Sequence, residues 1–113
     1  MNNKDLGKKG EDIACEYLIK NGYQIIERNK HFSKFCEIDI IAKYKSKIIF
    51  VEVKTRKSNA FGSPMEAITK QKYTHIKTGV ISYIQEQKIK DYQIDAIGIT
   101  LTPEIKIEHL KNI

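Results

Sequence analysis

The 113-residue sequence predicts an α/β fold, a mixed β-sheet with helices packed on it, in the order α-β-β-β-α-β-β. Three observations predict it. Apolar residues recur at helical spacing twice, near the start and again beyond residue 63. Three apolar runs of strand length lie between those segments, bounded by polar links. Two further strand-like runs follow the second helix, and strands that flank helices in this way form a sheet with helical layers.

Each element has a local reason. Residues 4–21 carry Leu6, Ile13, Ala14, Tyr17 and Leu18 at helical spacing, and Gly22 supplies a stop. "YQIIERN" (23–29) reads as a short strand and "NKHFSKFC" (29–36) as a basic loop. Residues 37–44 and 47–55 form two strands, and "KTRKSNAFGS" (54–63) is a basic loop. In "SPME", Ser63 caps a helix, Pro64 fits its first turn and Glu66 closes a capping box. That helix is expected to reach about Gln87, with Ile68, Ile76, Val80, Ile81 and Ile84 as its apolar stripe. "YQIDAIGITL" (92–101) and "EIKIEHL" (104–110) supply the closing strands.

Composition bounds the function. With 41% hydrophobic and 30% charged residues, the chain reads as a soluble globular protein, and its length suits one domain, residues 1–113. "MNNKDLGKKGED" holds no apolar signal core, and no run approaches the ~18 residues of a membrane span. A cytoplasmic location and no membrane partner are the expectation. Cys15 and Cys36 lack metal-site spacing and the three histidines are scattered, which argues against structural zinc. The segment Arg28–Lys57 holds nine Lys and Arg against three acids, the whole of the chain's net +6. Such a concentration suits a polyanion such as nucleic acid; a solvated basic face is the alternative.

The chemistry concentrates in "EIDIIAKYKSKIIFVEVKTR" (37–56). Residues two apart on a strand share a face, so Ile48, Phe50, Glu52 and Lys54 lie together, with Ile49, Val51 and Val53 opposite. Both faces begin apolar, which marks a central strand covered on both sides. If Lys45 and Ser46 form a two-residue hairpin loop, Tyr44 pairs with Lys47 and Ile41 with Phe50. Asp39 then faces Glu52, and Glu37 faces Lys54. A one-residue slip would send Asp39 to the wrong face.

Directly opposed side chains have Cβ atoms about 4.5–5.5 Å apart, so Asp39 and Glu52 repel unless a cation or proton lies between them. Mg²⁺, or Mn²⁺ in its place, takes oxygen ligands and keeps several waters; Asp39, Glu52 and the Val53 carbonyl are the expected metal ligands. Lys54, on the same face, could activate a metal-bound water or stabilise developing phosphorane charge. This is apparatus for phosphodiester hydrolysis. The alternative is a structural network in which Lys54 pairs with Glu37 and Asp39 is solvated. Glu11, on the apolar side of the first helix, could add a third acid or simply be a surface glutamate. Lys72 interrupts the second helix's apolar stripe and either points at the carboxylates or a phosphate, or snorkels to water. With Lys30, Lys34, Arg56 and Lys57, it completes the expected nucleic-acid-binding set.

Four separated motifs, "GEDIACEYLIKNGYQIIERN", "EIDIIA", "FVEVKTR" and "FGSPMEAITKQK", resemble in order and spacing the YraN-like family of small bacterial proteins. That family is similar to Holliday-junction resolvases and to restriction-endonuclease-like nucleases with a PD-(D/E)xK site. The resemblance implies a restriction-endonuclease-like mixed sheet flanked by helices. It also implies that Asp39 is the first motif acid, Glu52 and Lys54 the (D/E)xK pair, and Glu11 the helix-borne acid, all four catalytic. Ile38 stands where the general motif has proline, and Cys36 where family members usually have glycine. The expectation is a Mg²⁺-dependent DNA endonuclease, with branched or recombination intermediates as candidate substrates. The alternative is a nucleic-acid-binding module with a vestigial site, and so small a domain leaves room for a homodimer or a protein partner.

Overall fold

The computed structural model describes residues 1–33, 36–60 and 62–113. Helix α1, Asn3–Lys20, opens on Asn2, whose side-chain oxygen accepts the Asp5 N–H at 2.8 Å. It closes at Asn21, and Gly22 follows with φ +91°, a left-handed conformation that glycine adopts without a Cβ clash. Strand β1, Gln24–Ser33, runs further than the expected strand. Residues 29–33, read from sequence as part of a loop, pair with the next strand through Lys30↔Ile38 and His31↔Glu37. Their basic character misled because an edge strand can present polar side chains to water. The irregularities needed to continue the strand are local: register shifts at Ile25/Glu27 and His31/Ser33, and Asn29 with φ +54°.

Strand β2, Cys36–Tyr44, and strand β3, Lys47–Arg56, form the expected hairpin. Tyr44 pairs with Lys47 and Ile41 with Phe50, and Lys45 takes φ +56° to close the two-residue turn. A 3₁₀ turn over Pro64–Ala67 precedes helix α2, Lys70–Gln87. The expected single helix from Ser63 is therefore two pieces. Ser63 caps the first, and Thr69 caps the second by accepting the Lys72 N–H at 3.2 Å. Strand β4, Tyr92–Thr100, and strand β5, Lys106–Leu110, complete a sheet of order β1-β2-β3-β4-β5. β3 and β4 are parallel and every other pair is antiparallel. This is the mixed α/β architecture expected, in the expected order.

Both faces of β3 are covered. On one, Ile49 and Val51 pack with Ala14 and Leu18 of α1 and with Ile97 and Ile99. On the other, Phe50 packs with Ile76, Val80 and Tyr83 of α2 and with Ile94. The α2 stripe differs from the expected one: Tyr83 belongs to it, Ile81 is 42% exposed and Ile68 precedes the helix. The stripe runs Ile76, Val80, Tyr83, and Lys72 lies one turn before its start on the same side.

α1 approaches β3 closely only because residue 10 is glycine: a Cβ there would overlap the Thr55 hydroxyl and crowd its Cβ at 2.8 Å. Gly10→Ala gains helix propensity, yet overpacking should outweigh it and cost about 1–3 kcal/mol. Thermal melting should show a drop of several degrees, with part regained in Gly10→Ala/Thr55→Ala. A single variant as stable as wild type would contradict this seating of α1.

Candidate functional site

The β2–β3 ladder follows the expected register from Tyr44↔Lys47 to Ile40↔Val51 and stops there. Beyond it the backbone no longer pairs as the sequence suggested. Instead the Asp39 carboxylate accepts the Val53 N–H at 2.8 Å, so a side chain takes the place of a ladder acceptor. β2 continues beside β1, and Glu37, expected opposite Lys54, faces His31 across that pairing, with Oε1 3.8 Å from His31 Nε2. The expected alternative, a Glu37–Lys54 pair with Asp39 solvated, is thus not the arrangement found. The separation of the strands leaves Asp39 and Glu52 as neighbours close enough for each carboxylate to feel the other's charge.

Glu52 is only 3% exposed, yet it meets two cations. Lys72 Nζ lies 2.9 Å from Glu52 Oε1, and Lys54 Nζ lies 3.7 Å from the same oxygen. Lys72 therefore turns toward the carboxylates rather than away to solvent. Burial opposes its charge, but contacts with Lys54 and Glu52 outweigh that and raise its pKa. Lys54 moves the other way: burial, then the neighbouring Lys72, hold its pKa below the usual lysine range. Asp39 carries the largest consequence. Burial first, and then the Glu52 charge, push its pKa up to about 8, against the opposing pull of the Val53 N–H. A proton held on Asp39 is the neutral-pH answer to the repulsion expected from sequence.

The pair opens into a cleft of about 510 Å³ whose walls include His31, His75, Gln71 and Lys72. Sequence reading missed His31 and His75 here, because they come together only when β1 and α2 flank β2. Glu11 faces a second cleft of about 550 Å³, shared with Val53, Lys54, Arg56 and Lys57. Glu11 Oε1 is 3.7 Å from Arg28, whose guanidinium also holds Asp12 at 2.7 Å. Burial raises the Glu11 pKa even so. Glu11 is near enough to Asp39 for its charge to matter, but it stands on Arg28 rather than beside Glu52. Arg28, counted in the basic segment, is thereby matched by acids of α1. Lys30 lies 4.0 Å from Glu27, outside the carboxylate cleft's walls. Lys34 falls outside the described residues.

Among the described residues no three His, Cys, Asp or Glu side chains stand close enough together to hold a metal ion. The protein side chains thus offer two carboxylates, Asp39 and Glu52, with the Val53 carbonyl next in the chain. That donor set suits Mg²⁺ or Mn²⁺ bound largely through water and substrate oxygens, and no soft metal. Asp39, buried beside Glu52 and with no cation of its own among the ion pairs of the described residues, is the acid that a bound cation would relieve.

Residues 10–99 match the family described as "Uncharacterised protein family UPF0102". A UPF0102 protein of Caldicellulosiruptor saccharolyticus is 46% identical over 101 residues, covering 88% of this chain and 85% of its own. One from Syntrophomonas wolfei is 39% identical over 113 residues, covering 97% of each chain. One from Caldanaerobacter subterraneus is 44% identical over 118 residues, covering 99% of this chain and 96% of its own. No helix among the described residues is long and apolar enough to cross a membrane.

Asp39→Asn tests the proton on Asp39. The amide keeps the shape and the acceptor for Val53 but carries no charge. Wild-type Asp39 binds its proton more tightly folded than unfolded, so its contribution to stability is full below the unfolded pKa of 3.8 and is lost as pH rises through about 8. In EDTA, the variant's advantage should grow across that window by up to about 1.4 kcal/mol per pH unit, then level off. A pH series of melting curves reads this directly; an advantage that shrinks as pH rises would show that Asp39 is ionised and paired.

Proposed function

The chain belongs to the UPF0102 family, the YraN-like group its motifs suggested, and we propose that it is a divalent-metal-dependent nuclease cleaving DNA phosphodiesters at Asp39 and Glu52. One observation carries this reading. Two adjacent carboxylates lie at the open end of the central strand, with Lys54 and Lys72 both on Glu52. A purely structural strand has no reason to collect two acids and two lysines at the mouth of a cleft.

Asp39, Glu52 and the Val53 carbonyl would hold Mg²⁺ or Mn²⁺. Such an ion, when bound, neutralises phosphoryl oxygens and lowers the pKa of a coordinated water. The remaining roles belong to the chain. Val53 N–H fixes the Asp39 carboxylate, so the acid does not have to be ordered when substrate arrives. Lys54 Nζ, held near Glu52, is placed to orient the attacking water and to stabilise negative charge on the phosphorus oxygens. Lys72 keeps the buried Glu52 carboxylate compensated before catalysis and can release it toward a phosphate. Arg56 and Lys57, in the adjoining cleft, engage the backbone on one side of the scissile bond. Branched or recombination intermediates remain the substrate class that the motif resemblance favours.

A second reading has its own support. Lys72 at 2.9 Å already supplies Glu52 with a cation, which suits a nucleic-acid-binding module whose acids no longer hold metal. Cleavage decides between the two.

On a panel of single-stranded, duplex, flapped and four-way DNA with Mg²⁺ or Mn²⁺, wild type should cut. Glu52→Ala and Lys54→Ala, checked for folding, should each lose at least about a hundredfold. Activity shared equally by wild type and both variants would be contamination and would leave the binding-module reading. Binding itself should be dominated by phosphates. Engaging about four of them gives a log–log salt slope of about −3.6 on B-DNA. Charge reversal at Arg56 and Lys57 should flatten that slope; a binding constant indifferent to salt would exclude both readings.

A further inference from the structure

The sheet has two edges, and they are built differently. β1 is broken by two register shifts and by left-handed Asn29, features that spoil an edge for pairing. β5 pairs with β4 without a shift, from Ala96↔Leu110 to Thr100↔Lys106, and nothing among the described residues pairs with its outer side. Exposed apolar residues gather at that edge. Of nine large hydrophobic side chains exposed among the described residues, four are Ile105, Ile107, Leu110 and Ile113, within one nine-residue stretch. Beside them lies an apolar notch of about 280 Å³, lined by Met65, Ile68, Tyr73, Leu110 and Ile113 among others. A regular edge, free of bulges and flanked by exposed apolar side chains, can pair with another strand whose charges match its own.

The charges on β5 identify that strand. Lys106 and Glu108 are two apart and share a face, the face on which the Ser63 hydroxyl donates to the Glu108 carboxylate at 3.2 Å. His109 points to the other face, where its Nδ1 lies 2.8 Å from the Tyr17 hydroxyl of α1, and Ile107 shares that face. Opposed residues of an antiparallel pair lie on the same face, so a two-fold pairing of β5 with itself must centre on a residue. Centring on Glu108 or on Lys106 opposes like charges. Centring on Ile107 places Lys106 against Glu108 twice, on either side of an Ile107–Ile107 contact.

We propose that β5 is a dimerisation edge: two copies of this chain join antiparallel about Ile107 into one continuous sheet. The partner is a second copy because the edge is complementary to itself in charge and in apolar character. The inference does not depend on the nuclease reading. The two-fold axis reverses β3 of the second copy, so the two carboxylate clefts lie at opposite ends of the joined sheet.

Sedimentation velocity on the full chain over a concentration series tests this. Wild type should show a monomer–dimer equilibrium. Lys106→Glu and Glu108→Lys should each weaken it about tenfold, since each turns two attractive cross-strand pairs into repulsive ones. Mixing the two variants should restore association, because each then meets the opposite charge on its partner. Ile107→Arg, which sets like charges at the axis, should abolish dimerisation with the melting curve of the monomer intact. A wild type that stays monomeric to about 1 mM overturns the proposal. A dimer indifferent to all three substitutions, or a mixture no stronger than its components, overturns it equally.

Discussion

The contact between Lys72 Nζ and Glu52 Oε1, 2.9 Å long, is the constraint around which the site end of this molecule is arranged. Glu52 lies on a central strand with both faces covered and is 3% exposed. A carboxylate left alone there would cost several kcal/mol in lost hydration. Lys54 on the same strand supplies one compensating charge at 3.7 Å, and the nearer one comes from the layer above, from the N-terminal turn of α2. This explains why the chain breaks between the 3₁₀ turn and α2. Thr69 starts a new helix whose phase sets Lys72, Ile76, Val80 and Tyr83 along one line. Tyr83 meets Phe50 edge-on at 5.5 Å between ring centroids, and at the other end of the line Lys72 meets Glu52. Apolar packing and charge compensation are therefore one alignment of α2 on β3.

How far the sequence discloses this arrangement follows from the range of the forces involved. The β2–β3 register was legible because a two-residue loop and a period of two leave one pairing that buries both apolar sets, and Lys45 accepts the left-handed turn conformation. The proximity of Asp39 to Glu52 came with it. The separation of the strands beyond Ile40 was not legible, since it depends on β1 drawing β2 aside and on a carboxylate replacing a backbone acceptor. The α2 start was misread because two capping residues, Ser63 and Thr69, compete within one short stretch, and the first of them caps only a 3₁₀ turn whose Pro64 rests against Gly98. The length of β1 was misread because its polar residues are tolerated only at an edge, and edge position is a property of the assembled sheet.

A second buried carboxylate shows what a structural solution looks like. Asp95 is fully buried on β4, in an otherwise apolar run that gave one signal in sequence: a buried acid requires partners. It has them all. His109 Nε2 lies 2.8 Å from Oδ2, and Gln93 Nε2 and the Asn112 N–H donate to Oδ1 at 2.8 and 2.9 Å. Burial opposes its charge, but these hydrogen bonds prevail and its pKa is lowered. The network closes on itself, with Tyr17 completing it through His109, and it ties the end of the chain to the sheet.

Asp39 differs from Asp95 in the respects that matter for chemistry. Asp95 receives donors on both oxygens and keeps its negative charge at no unmet cost. Asp39 receives one backbone N–H, sits against another carboxylate and is driven toward holding a proton at neutral pH. Asp95 is sealed between strand and helix, whereas the Asp39–Glu52 pair faces a cleft wide enough for a phosphate and its waters. Evenly matched donors make a carboxylate a fixture of the fold. An acid short of donors beside a cleft is a candidate for binding what the protein has not supplied, and the reading proposed above has the adjacent Lys54, its own charge weakened by burial and by Lys72, act there.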